Sequence, residues 1–289
     1  MEYDTRVQGV RGLESRLSSK RTLDTIFAAT RHKTSRRLVA RGMSLAHERL
    51  KEYPLPDMPQ PGGPEVTVLV PALNEEQTIA EVVERVLKLP LRVEIIVIDD
   101  GSTDRTTEIL AGYADRVTII RNEKPGGKGS AIRQALPFAT GATVIVQDAD
   151  LEYAPEEIPN LIRPILDGRA KVVYGTRFSH GLPKGMALPN KIVNVMLAWS
   201  VRLLFRQHVT DEATCYKAFD TDLIRRMNLT CRRFEFCPEV TAKSIRLGET
   251  ILELPISYVP RSKEAGKKIR WTDAPDAFWT LFKHRFSKF

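Results

Sequence analysis

The sequence has few cysteines and no long apolar run, and both absences limit what the protein can be. Its 289 residues include three cysteines, and no two of them form a C-x-x-C pair. We therefore expect reduced thiols rather than a disulfide framework or a zinc site. No stretch approaches about 18 uninterrupted apolar residues, and the first residues contain no apolar signal core, so we expect a cytoplasmic protein without a spanning helix.

The familiar glycine-rich phosphate loops are also missing. No G-x-G-x-x-G follows the first predicted strand, which argues against a nicotinamide dehydrogenase. The segment GGKGS fails the Walker pattern, because Asn122 stands where the first glycine should be and Gly129 follows the lysine. A nucleotide-binding protein without these loops has to hold the diphosphate with a metal ion and with Arg or Lys side chains.

Positive charge is concentrated at the two ends of the chain. Residues 1–60 hold 12 Lys and Arg against 7 Asp and Glu, and residues 261–289 hold 8 against 3. This distribution predicts that the termini meet an anionic partner while the middle carries the chemistry. A non-catalytic basic module that binds nucleic acid is one rival interpretation. We expect no nucleic-acid partner, because the sequence has no helix-turn-helix, zinc-finger or RNP-type motif.

Between residues 65 and 178, strand patterns alternate with helical patterns. After the first strand, for example, Ile79, Val82 and Val86 recur at helical spacing. Five such steps predict an α/β fold with an open, doubly wound, mostly parallel sheet and helices on both faces. Sheets of this kind bind ligands beyond the carboxyl ends of their strands. The predicted strands are 65–71, 93–99, 116–120, the apolar run that starts at 143, and 171–178.

The most informative stretch is TVIVQDADLE at 143–152. Its apolar run ends abruptly in Asp148, Asp150 and Glu152, and alternate side chains of an extended strand point the same way. Three converging carboxylates repel each other unless a cation lies between them, and such oxygen ligands suit Mg²⁺ or Mn²⁺. A lone D-x-D is also typical of a solvated acidic turn. Here the other strand ends add acidic and basic groups, which together predict a ligand such as a nucleotide diphosphate.

Five motifs follow one another along the chain, namely VPALNEE, IIVIDDGSTDRT, GGKGSAI, DADLE and VVYGTRF. Together they resemble family 2 glycosyltransferases with the GT-A fold, and among these the polyprenyl-phosphate sugar synthases of the dolichyl-phosphate mannose synthase group. The resemblance covers roughly residues 65–270. It implies transfer of one sugar from a nucleotide-sugar to an acceptor, with inversion at the anomeric carbon. It does not choose between a UDP-sugar and a GDP-sugar as donor.

The resemblance also implies roles for single residues. Nucleotide-sugar binding is implied for Pro71, Leu73, Glu75, Asp99, Asp100, Lys128, Asp148, Ala149 and Asp150, with Asp99 or Asp100 next to the base or ribose. Ligation of Mg²⁺ or Mn²⁺ is implied for Asp148, Asp150 and Glu152. Catalytic roles are implied for Asp150, Arg177, Asp211, Glu212, Arg261 and Lys267, of which Arg261 and Lys267 would close over the phosphates.

The sequence does not decide which residue acts as the general base, or whether one is needed. The family usually has Glu where Ala213 stands, so Asp211 or Glu212 is the candidate here. No base is needed if the acceptor is a phosphate, which is already anionic at neutral pH, whereas a hydroxyl acceptor needs a carboxylate base. The leading prediction is a polyprenyl-phosphate acceptor. The alternative is a hydroxyl group of a saccharide, a protein or a small molecule.

Two helical segments, 189–208 and 271–289, mix aromatic with basic residues. Amphipathic helices of this composition suit the headgroup region of an anionic bilayer. We therefore expect peripheral contact with the inner face of the membrane. The alternative is that both helices pack on the domain and that their charges are simply solvated.

These patterns divide the chain into four parts. They are a basic helical extension (1–53), a Pro-rich linker (54–64), a glycosyltransferase domain (65–270) and a C-terminal amphipathic helix (271–289). Within the domain, residues 65–178 would bind the nucleotide-sugar and residues 179–270 the acceptor. The sequence leaves the role of the extension and the oligomeric state open.

Overall fold

The computed structural model describes residues 62–179, 181, 186, 188–260 and 274–287. The predicted N-terminal extension, most of the predicted linker and the predicted site residues Arg261 and Lys267 lie outside these residues. The strands are β1 (Val66–Ala72), β2 (Val93–Asp99), β3 (Thr118–Arg121), β4 (Thr143–Val146), β5 (Val172–Thr176), β6 (Lys217–Asp220) and β7 (Ile251–Pro255). The α-helices are α1 (Ile79–Leu87), α2 (Thr106–Ala111), α3 (Lys128–Ala135), α4 (Ile158–Leu166), α5 (Leu188–Phe205), α6 (Thr221–Arg226), α7 (Phe236–Arg246) and α8 (Ala274–Phe286).

The seven strands form one mixed sheet in the order β3-β2-β1-β4-β6-β5-β7. β1 pairs in parallel with β2 and β4, and β5 pairs in parallel with β7. β6 runs antiparallel to both of its neighbours, β4 and β5. Helices pack on both faces of this sheet. The predicted α/β fold with a mostly parallel, doubly wound sheet is therefore confirmed.

Both faces of the sheet are packed, which explains why its central strands are almost continuously apolar. Along β1, Leu69 packs into one core, whereas Val68 and Val70 pack into the core on the opposite face. The first core joins the sheet to α3, α5, α7 and α8, and the second joins it to α1 and α4. The α5 and α8 helices therefore lie on the same side of the sheet.

Up to β5 the strands follow the sequence prediction. Between β4 and β5 the chain forms a 3₁₀ turn (Pro155–Glu157) and continues as α4. The sequence patterns do not reveal β6, α6 or β7. β6 begins at Lys217, whose buried ammonium donates to the Glu212 carbonyl at 2.7 Å and lies 3.4 Å from the centre of the Tyr174 ring. A lysine with these partners can occupy the first position of a central strand. The segment KAFD alone does not predict such a strand.

The two predicted amphipathic segments are helical. The segment 189–208 corresponds to α5, and 271–289 corresponds to α8, with 271–273 and 288–289 outside the described residues. In the part of the chain that the structure describes, no helix is long and apolar enough to cross a membrane.

The parallel strands bring their carboxyl ends to one edge of the sheet. Ala72 at the end of β1 pairs with Asp99 at the end of β2, and Leu69 of β1 pairs with Val146 at the end of β4. The loops that follow these three strands therefore meet above β1, as expected for an open α/β sheet.

Candidate active site

A cleft of about 550 Å³ opens at this edge of the sheet. The loops after β1, β2, β4 and β5 form part of its wall, together with α3, α5, α7 and α8. The predicted site residues that line it are Pro71, Leu73, Glu75, Asp100, Lys128, Asp148, Ala149, Asp150, Glu152, Arg177 and Glu212. Two predicted residues, Asp99 and Asp211, are fully buried and do not line the cleft.

Lys128 and Asp148 form an ion pair inside the cleft. Their side chains are 14% and 15% exposed, so water screens the pair only in part. Burial disfavours the ammonium group, but the attraction of the Asp148 carboxylate outweighs that effect and raises the pKa of Lys128. Lys128 is therefore a permanent positive charge beside the DAD segment.

Asp150 carries negative charge that the protein compensates poorly. Burial, with the neighbouring charges of Asp148 and Glu152, raises the pKa of Asp150 to about 7. Its Oδ1 accepts one hydrogen bond of 3.1 Å from the backbone N–H of Glu152. A carboxyl group with a pKa near neutrality in a cleft is a candidate functional group, because ordinary surface carboxylates ionise well below pH 7.

Glu152 is turned toward the segment that precedes Arg261. Its Oε2 accepts a 3.1 Å hydrogen bond from the Tyr258 hydroxyl, and its backbone carbonyl accepts one of 3.1 Å from the N–H of Val259. This differs from the expectation of three converging carboxylates, because β4 ends at Val146 and the chain then turns instead of staying extended. Within the described residues, no group of three or more His, Cys, Asp or Glu side chains is placed to hold a metal ion.

Asp148 and Asp150 nevertheless fit a divalent cation. Both line the same cleft, and Mg²⁺ is commonly held by one or two carboxylates together with substrate phosphates. Burial and the charges of Asp148 and Glu152 disfavour the ionised form of Asp150, and a bound cation would favour it. Metal ligation by Asp148, Asp150 or Glu152 stays a prediction.

Asp100 organises the glycine-rich loop that leads into α3. Its carboxylate accepts hydrogen bonds from the backbone N–H groups of Gly126 (2.9 Å) and Gly127 (2.7 Å) and from the Asn122 amide (2.9 Å). In a phosphate-binding loop, successive N–H groups of this kind would point at the phosphate. Here they bind a carboxylate of the protein itself.

The first N–H groups of α3 are occupied in the same way. Gly129 donates to the carbonyl of Arg233 at 3.0 Å, and Ser130 donates to the carbonyl of Arg232 at 2.9 Å. The helix N-terminus is thus closed by backbone carbonyls rather than left open for an anion. The loop presents the Lys128 side chain to the cleft. This agrees with the failure of the segment GGKGS to match the Walker pattern.

Asp99 and Glu75 anchor the loops after β2 and β1. Asp99 accepts hydrogen bonds from the N–H of Ser102 at 2.9 Å and from the Thr107 hydroxyl at 2.5 Å. The N–H of Glu75 donates to the Thr106 hydroxyl at 2.8 Å, which joins the two loops. Asp99 therefore shapes its loop from behind the cleft wall, whereas Glu75 lines the cleft. Their roles in nucleotide binding stay predictions.

Arg177 and Asp211 form a buried ion pair, with side chains 7% and 0% exposed. Nε and Nη2 of Arg177 donate to the two carboxylate oxygens at 2.7 Å each, and the backbone N–H of Arg177 donates at 2.9 Å. The Asn194 side-chain oxygen accepts a further hydrogen bond of 3.3 Å from the guanidinium. The arginine predicted near the phosphates and one residue predicted as base are thus partners of each other.

Glu212 is fully buried and lines the cleft. Its Oε1 accepts a 3.2 Å hydrogen bond from the Thr241 hydroxyl, and its Oε2 has no hydrogen-bond partner among the described residues. Burial raises the pKa of this carboxyl group, although the nearby Lys217 ammonium opposes the rise. The surroundings of Glu212 therefore favour its protonated form more than water would.

The wall formed by α5, α7 and α8 is largely apolar. It includes Val193, Leu197 and Phe236, and the buried thiol of Cys215 and the partly buried thiol of Cys237 lie near them. All three cysteines of the chain are free. An apolar wall opposite a charged one suits a ligand with a charged and a hydrocarbon part.

Two residues of this site escape sequence reasoning. Asn194 holds the Arg177 guanidinium from α5, and an asparagine inside a helical pattern gives no local sign of such a contact. Tyr258 binds Glu152, and its ring lies 5.0 Å from the Arg177 guanidinium. Tyr258 stands three residues before the predicted site residue Arg261 in SYVPR, and this proximity is the signal that could have identified it.

Comparison with known proteins places the chain in one family. The family model described as "Glycosyl transferase family 2" matches residues 67–228, which is more than half of the chain. The matched part runs from β1 past β6 and contains the strand-end residues described above.

The relatives with named activities include three archaeal transferases. The chain is 30% identical to the UDP-N-acetylglucosamine–dolichyl-phosphate N-acetylglucosaminyltransferase of Methanococcus voltae, over 67% of this chain and 85% of that protein. It is 30% identical to the low-salt glycan biosynthesis hexosyltransferase Agl6 of Haloferax volcanii, over 70% of this chain and 49% of that protein. It is 26% identical to the dolichol-phosphate mannosyltransferase of Pyrococcus furiosus, over 70% and 58%. The chain thus spans less than two thirds of the latter two relatives.

A solved structure shares the fold. Glucosyl-3-phosphoglycerate synthase from Mycobacterium tuberculosis, in complex with Mn²⁺, UDP-glucose and phosphoglyceric acid, matches with a TM-score of 0.60 and 23% sequence identity. The match covers 78% of this chain and 80% of that one. At this level of identity the likeness is one of fold.

Proposed function

Since the chain belongs to glycosyl transferase family 2 and has the GT-A fold, we propose that it transfers one sugar from a UDP- or GDP-sugar to a polyprenyl phosphate. The proposed reaction inverts the anomeric carbon and uses Mg²⁺ or Mn²⁺. The relatives from M. voltae and P. furiosus, whose names include dolichyl or dolichol phosphate, support this acceptor class.

The donor would occupy the charged half of the cleft. Pro71, Leu73 and Glu75 line its β1 side, where the base is expected, and Lys128 supplies a buried positive charge for the diphosphate. The hydrogen bonds from the loop N–H groups to Asp100 leave little backbone for phosphate binding, so the diphosphate needs cationic partners instead.

Asp148 and Asp150 are the residues that would hold the metal ion, and Glu152 lies next to them. When bound, the ion neutralises the diphosphate and makes it a better leaving group. The chain's own part is to keep two carboxylates in the cleft and Lys128 beside them. Arg261 and Lys267, which lie outside the described residues, are proposed to add positive charge as the diphosphate leaves.

The observation that carries the acceptor proposal is the state of the two candidate bases. Asp211 is fully buried and gives both carboxylate oxygens to Arg177. Glu212 is buried, and the pKa of its carboxyl group is raised by that burial. Asp211 is thus occupied by Arg177, and burial disfavours the ionised form of Glu212, so neither is well placed to take a proton from a hydroxyl group. This favours an acceptor that is anionic before it binds, because such an acceptor needs no base.

The proposed chemistry is a single displacement. An oxygen of the acceptor phosphate attacks the anomeric carbon on the face opposite the leaving diphosphate. The new carbon–oxygen bond forms as the bond to the diphosphate breaks, and the nucleoside diphosphate leaves with that electron pair. The configuration at the anomeric carbon is therefore inverted, and no proton has to be removed from the acceptor.

A matched pair of acceptors tests this proposal. Full-length protein with Mn²⁺ and a panel of UDP- and GDP-sugars is given either a polyprenyl phosphate or the polyprenol of the same chain length. We expect a glycosylated product from the phosphate and none from the alcohol. The rate should level off above about pH 7, because a phosphate monoester loses its second proton near pH 6. Equal transfer to the alcohol, or transfer to soluble hydroxyl acceptors alone, would favour the hydroxyl-acceptor alternative.

A further inference from the structure

The helix α5 is apolar on two opposite sides. One side packs inward through the buried residues Asn194, Leu197 and Val201, and Val193 and Leu197 also line the cleft. The opposite side is exposed to solvent. Its members recur every three or four residues and are Leu188 (69% exposed), Ile192 (52%), Val195 (47%), Met196 (51%), Trp199 (66%) and Leu203 (78%).

This exposed side needs a covering that the described part of the chain does not supply. A surface helix of a globular protein normally has a polar outer side, and a helix that is apolar all round is normally buried. Single exposed apolar residues are common, but a contiguous patch along a whole helix marks an interaction surface. With 18 residues, α5 is about 27 Å long, so the patch is extended rather than local.

The helix α8 extends the patch with three exposed aromatic side chains. Trp279, Phe282 and Phe286 are 63%, 50% and 64% exposed. The rings of Trp279 and Phe282 are 5.9 Å apart, and those of Phe282 and Phe286 are 4.9 Å apart. These rings pack on each other along the outside of the helix and leave much of their area in water.

The two helices are joined at their ends. Arg285 of α8 donates a hydrogen bond of 2.7 Å to the carbonyl of Leu204 in α5. Leu203 of α5 and Phe286 of α8 line one groove between the helices. The apolar residues of α5 and the aromatic residues of α8 therefore meet, and we refer to the exposed residues of both helices together as the α5–α8 face.

Positive charge accompanies this face. The exposed cations on and next to the two helices are Arg202, Arg206, Lys283 and Arg285. The helix α5 contains no Asp or Glu, and α8 contains a single one, Asp276, in its first turn. Aromatic and aliphatic side chains combined with Lys and Arg suit a partner with an anionic surface and an apolar interior.

We propose that the α5–α8 face docks on the surface of an anionic lipid bilayer. Its aromatic and aliphatic side chains would enter the boundary between headgroups and acyl chains, and its cations would contact the anionic headgroups. The inner side of α5 lines the cleft, so docking would bring the cleft within about one helix diameter, 10 Å, of the bilayer. The role of docking in sugar transfer rests on the proposed function. Docking would let a polyprenyl phosphate reach the cleft while its tail stays in the bilayer.

A second copy of the chain fits this face less well. A two-fold dimer places the same patch on both sides of the interface. Arg202 and Lys283 would then face an interface that also carries the partner's cations and almost no carboxylates, and like charges across an interface oppose association. An anionic lipid surface satisfies the same cations.

Vesicle flotation with the full-length protein tests the proposal without any nucleotide-sugar. We expect binding to phosphatidylcholine vesicles that contain phosphatidylglycerol, weaker binding to pure phosphatidylcholine, and partial release by high salt. The variants W199S/L203S and W279S/F282S should each lower the partition coefficient at least about tenfold, equivalent to about 1.4 kcal/mol. The matched control is Phe138→Ser, which removes a 50% exposed aromatic side chain that lies on neither helix, and it should bind like the wild type.

Several outcomes would overturn the proposal. One is a wild-type protein that does not float with anionic vesicles, and another is that both double variants bind as well as the Phe138→Ser control. Light scattering that gives a dimer for the wild type and a monomer for W199S/L203S would assign the face to self-association. A monomer that binds neither vesicle type would assign it to another occupant, such as residues 1–61 of the chain.

The same variants separate this inference from the proposed function. If docking is correct, W279S/F282S transfers sugar normally to a short, water-soluble polyprenyl phosphate but poorly to a long-chain acceptor in vesicles. Vesicle binding by a wild type that transfers no sugar to any polyprenyl phosphate would retain the docking surface and reject the acceptor.

Discussion

The Arg177 guanidinium binds both carboxylate oxygens of Asp211, with Nε and Nη2 each 2.7 Å from one oxygen. The charge of this arginine is therefore compensated before any substrate arrives. Lys128 is paired in the same manner with Asp148. Neutralising a leaving diphosphate then needs further positive charge, which the proposed function assigns to a divalent metal ion together with Arg261 and Lys267.

Replacing Asp211 with Asn should destabilise the fold. The substitution leaves the Arg177 guanidinium buried without its counter-ion, and breaking a buried ion pair in this way costs about 3–5 kcal/mol. Urea denaturation of the two proteins measures the difference in the free energy of unfolding. The control is Asp222→Asn, which removes a half-exposed partner of Arg225 at 3.9 Å and should cost less than about 1 kcal/mol.

The outcome also decides the role of Asp211. A variant that folds with unchanged stability but transfers no sugar would contradict the structural role and would support Asp211 as a general base.

Stability should fall in acid because of Glu239. Burial opposes ionisation of this residue, but hydrogen bonds from Lys243 and Thr230 outweigh it and lower the pKa of Glu239 from 4.5 to about 2. An unfolded chain takes up the proton near pH 4.5, so the stabilisation is complete above that pH and is lost as the pH falls toward 2. The shift corresponds to about 3 kcal/mol. The titratable groups next to this carboxylate include Lys243 at 2.6 Å and His284 at 3.7 Å.

The Glu239→Gln variant isolates this effect. It should be less stable than the wild type at pH 7, and the difference between the two proteins should shrink as the pH falls from 5 to 2. Urea denaturation at several pH values measures it, with Glu108→Gln on the surface as the control. A constant difference across that range would show that the lost stability comes from packing and not from ionisation.

Gly127→Ala should destabilise the protein more than Gly168→Ala does. Both glycines have left-handed φ values, +94° and +71°. A Cβ atom at Gly127 would lie 2.5 Å from the carbonyl oxygen of Arg232, whereas a Cβ at Gly168 would meet nothing within 4 Å. Gly168→Ala should therefore cost only the backbone strain of about 1–2 kcal/mol, and Gly127→Ala should cost that strain and the displacement of the loop. Equal losses in urea denaturation would mean that the loop is not held by this contact.

Lys128→Met should weaken donor binding. Removing one charge-assisted hydrogen bond to a phosphate costs about 1.5–3 kcal/mol, so the affinity for UDP or GDP with Mn²⁺ should fall at least about tenfold. Isothermal titration calorimetry measures it, and Lys124→Met, at an exposed position in the same loop, is the control. An unchanged affinity would restrict Lys128 to neutralising Asp148.

Much of the fold and part of the site follow from local patterns. The apolar runs of β1 and β2 predict buried parallel strands, and strand ends in such a sheet meet at one edge. The amino-acid sequence alone therefore predicts that Asp148 and Asp150 lie at that edge, where the cleft opens. Their position is set by the local sequence, in which an apolar run is followed directly by acidic residues.

Longer-range contacts could not be predicted in this way. Asp211 lies 34 residues from Arg177 in sequence, and the residues around each give no sign that they pair. Glu152 follows the acidic pattern, but the strand ends at Val146 and the side chain is held by Tyr258, more than 100 residues later. The expectation that alternate side chains point the same way fails at Glu152, because it holds only while the backbone stays extended.

The central claim is metal-dependent sugar transfer to a polyprenyl phosphate, and one product measurement tests it most directly. Full-length protein, a nucleotide-sugar and a polyprenyl phosphate are incubated with Mn²⁺ or with excess EDTA, and the lipid is analysed by mass spectrometry and by NMR of the anomeric proton. We expect a polyprenyl phosphate that carries one sugar of inverted configuration with Mn²⁺, none with EDTA, none with Asp150→Asn, and wild-type yield with the surface control Asp115→Asn. Full product in EDTA, retained configuration, or no lipid product with any UDP- or GDP-sugar would contradict the account.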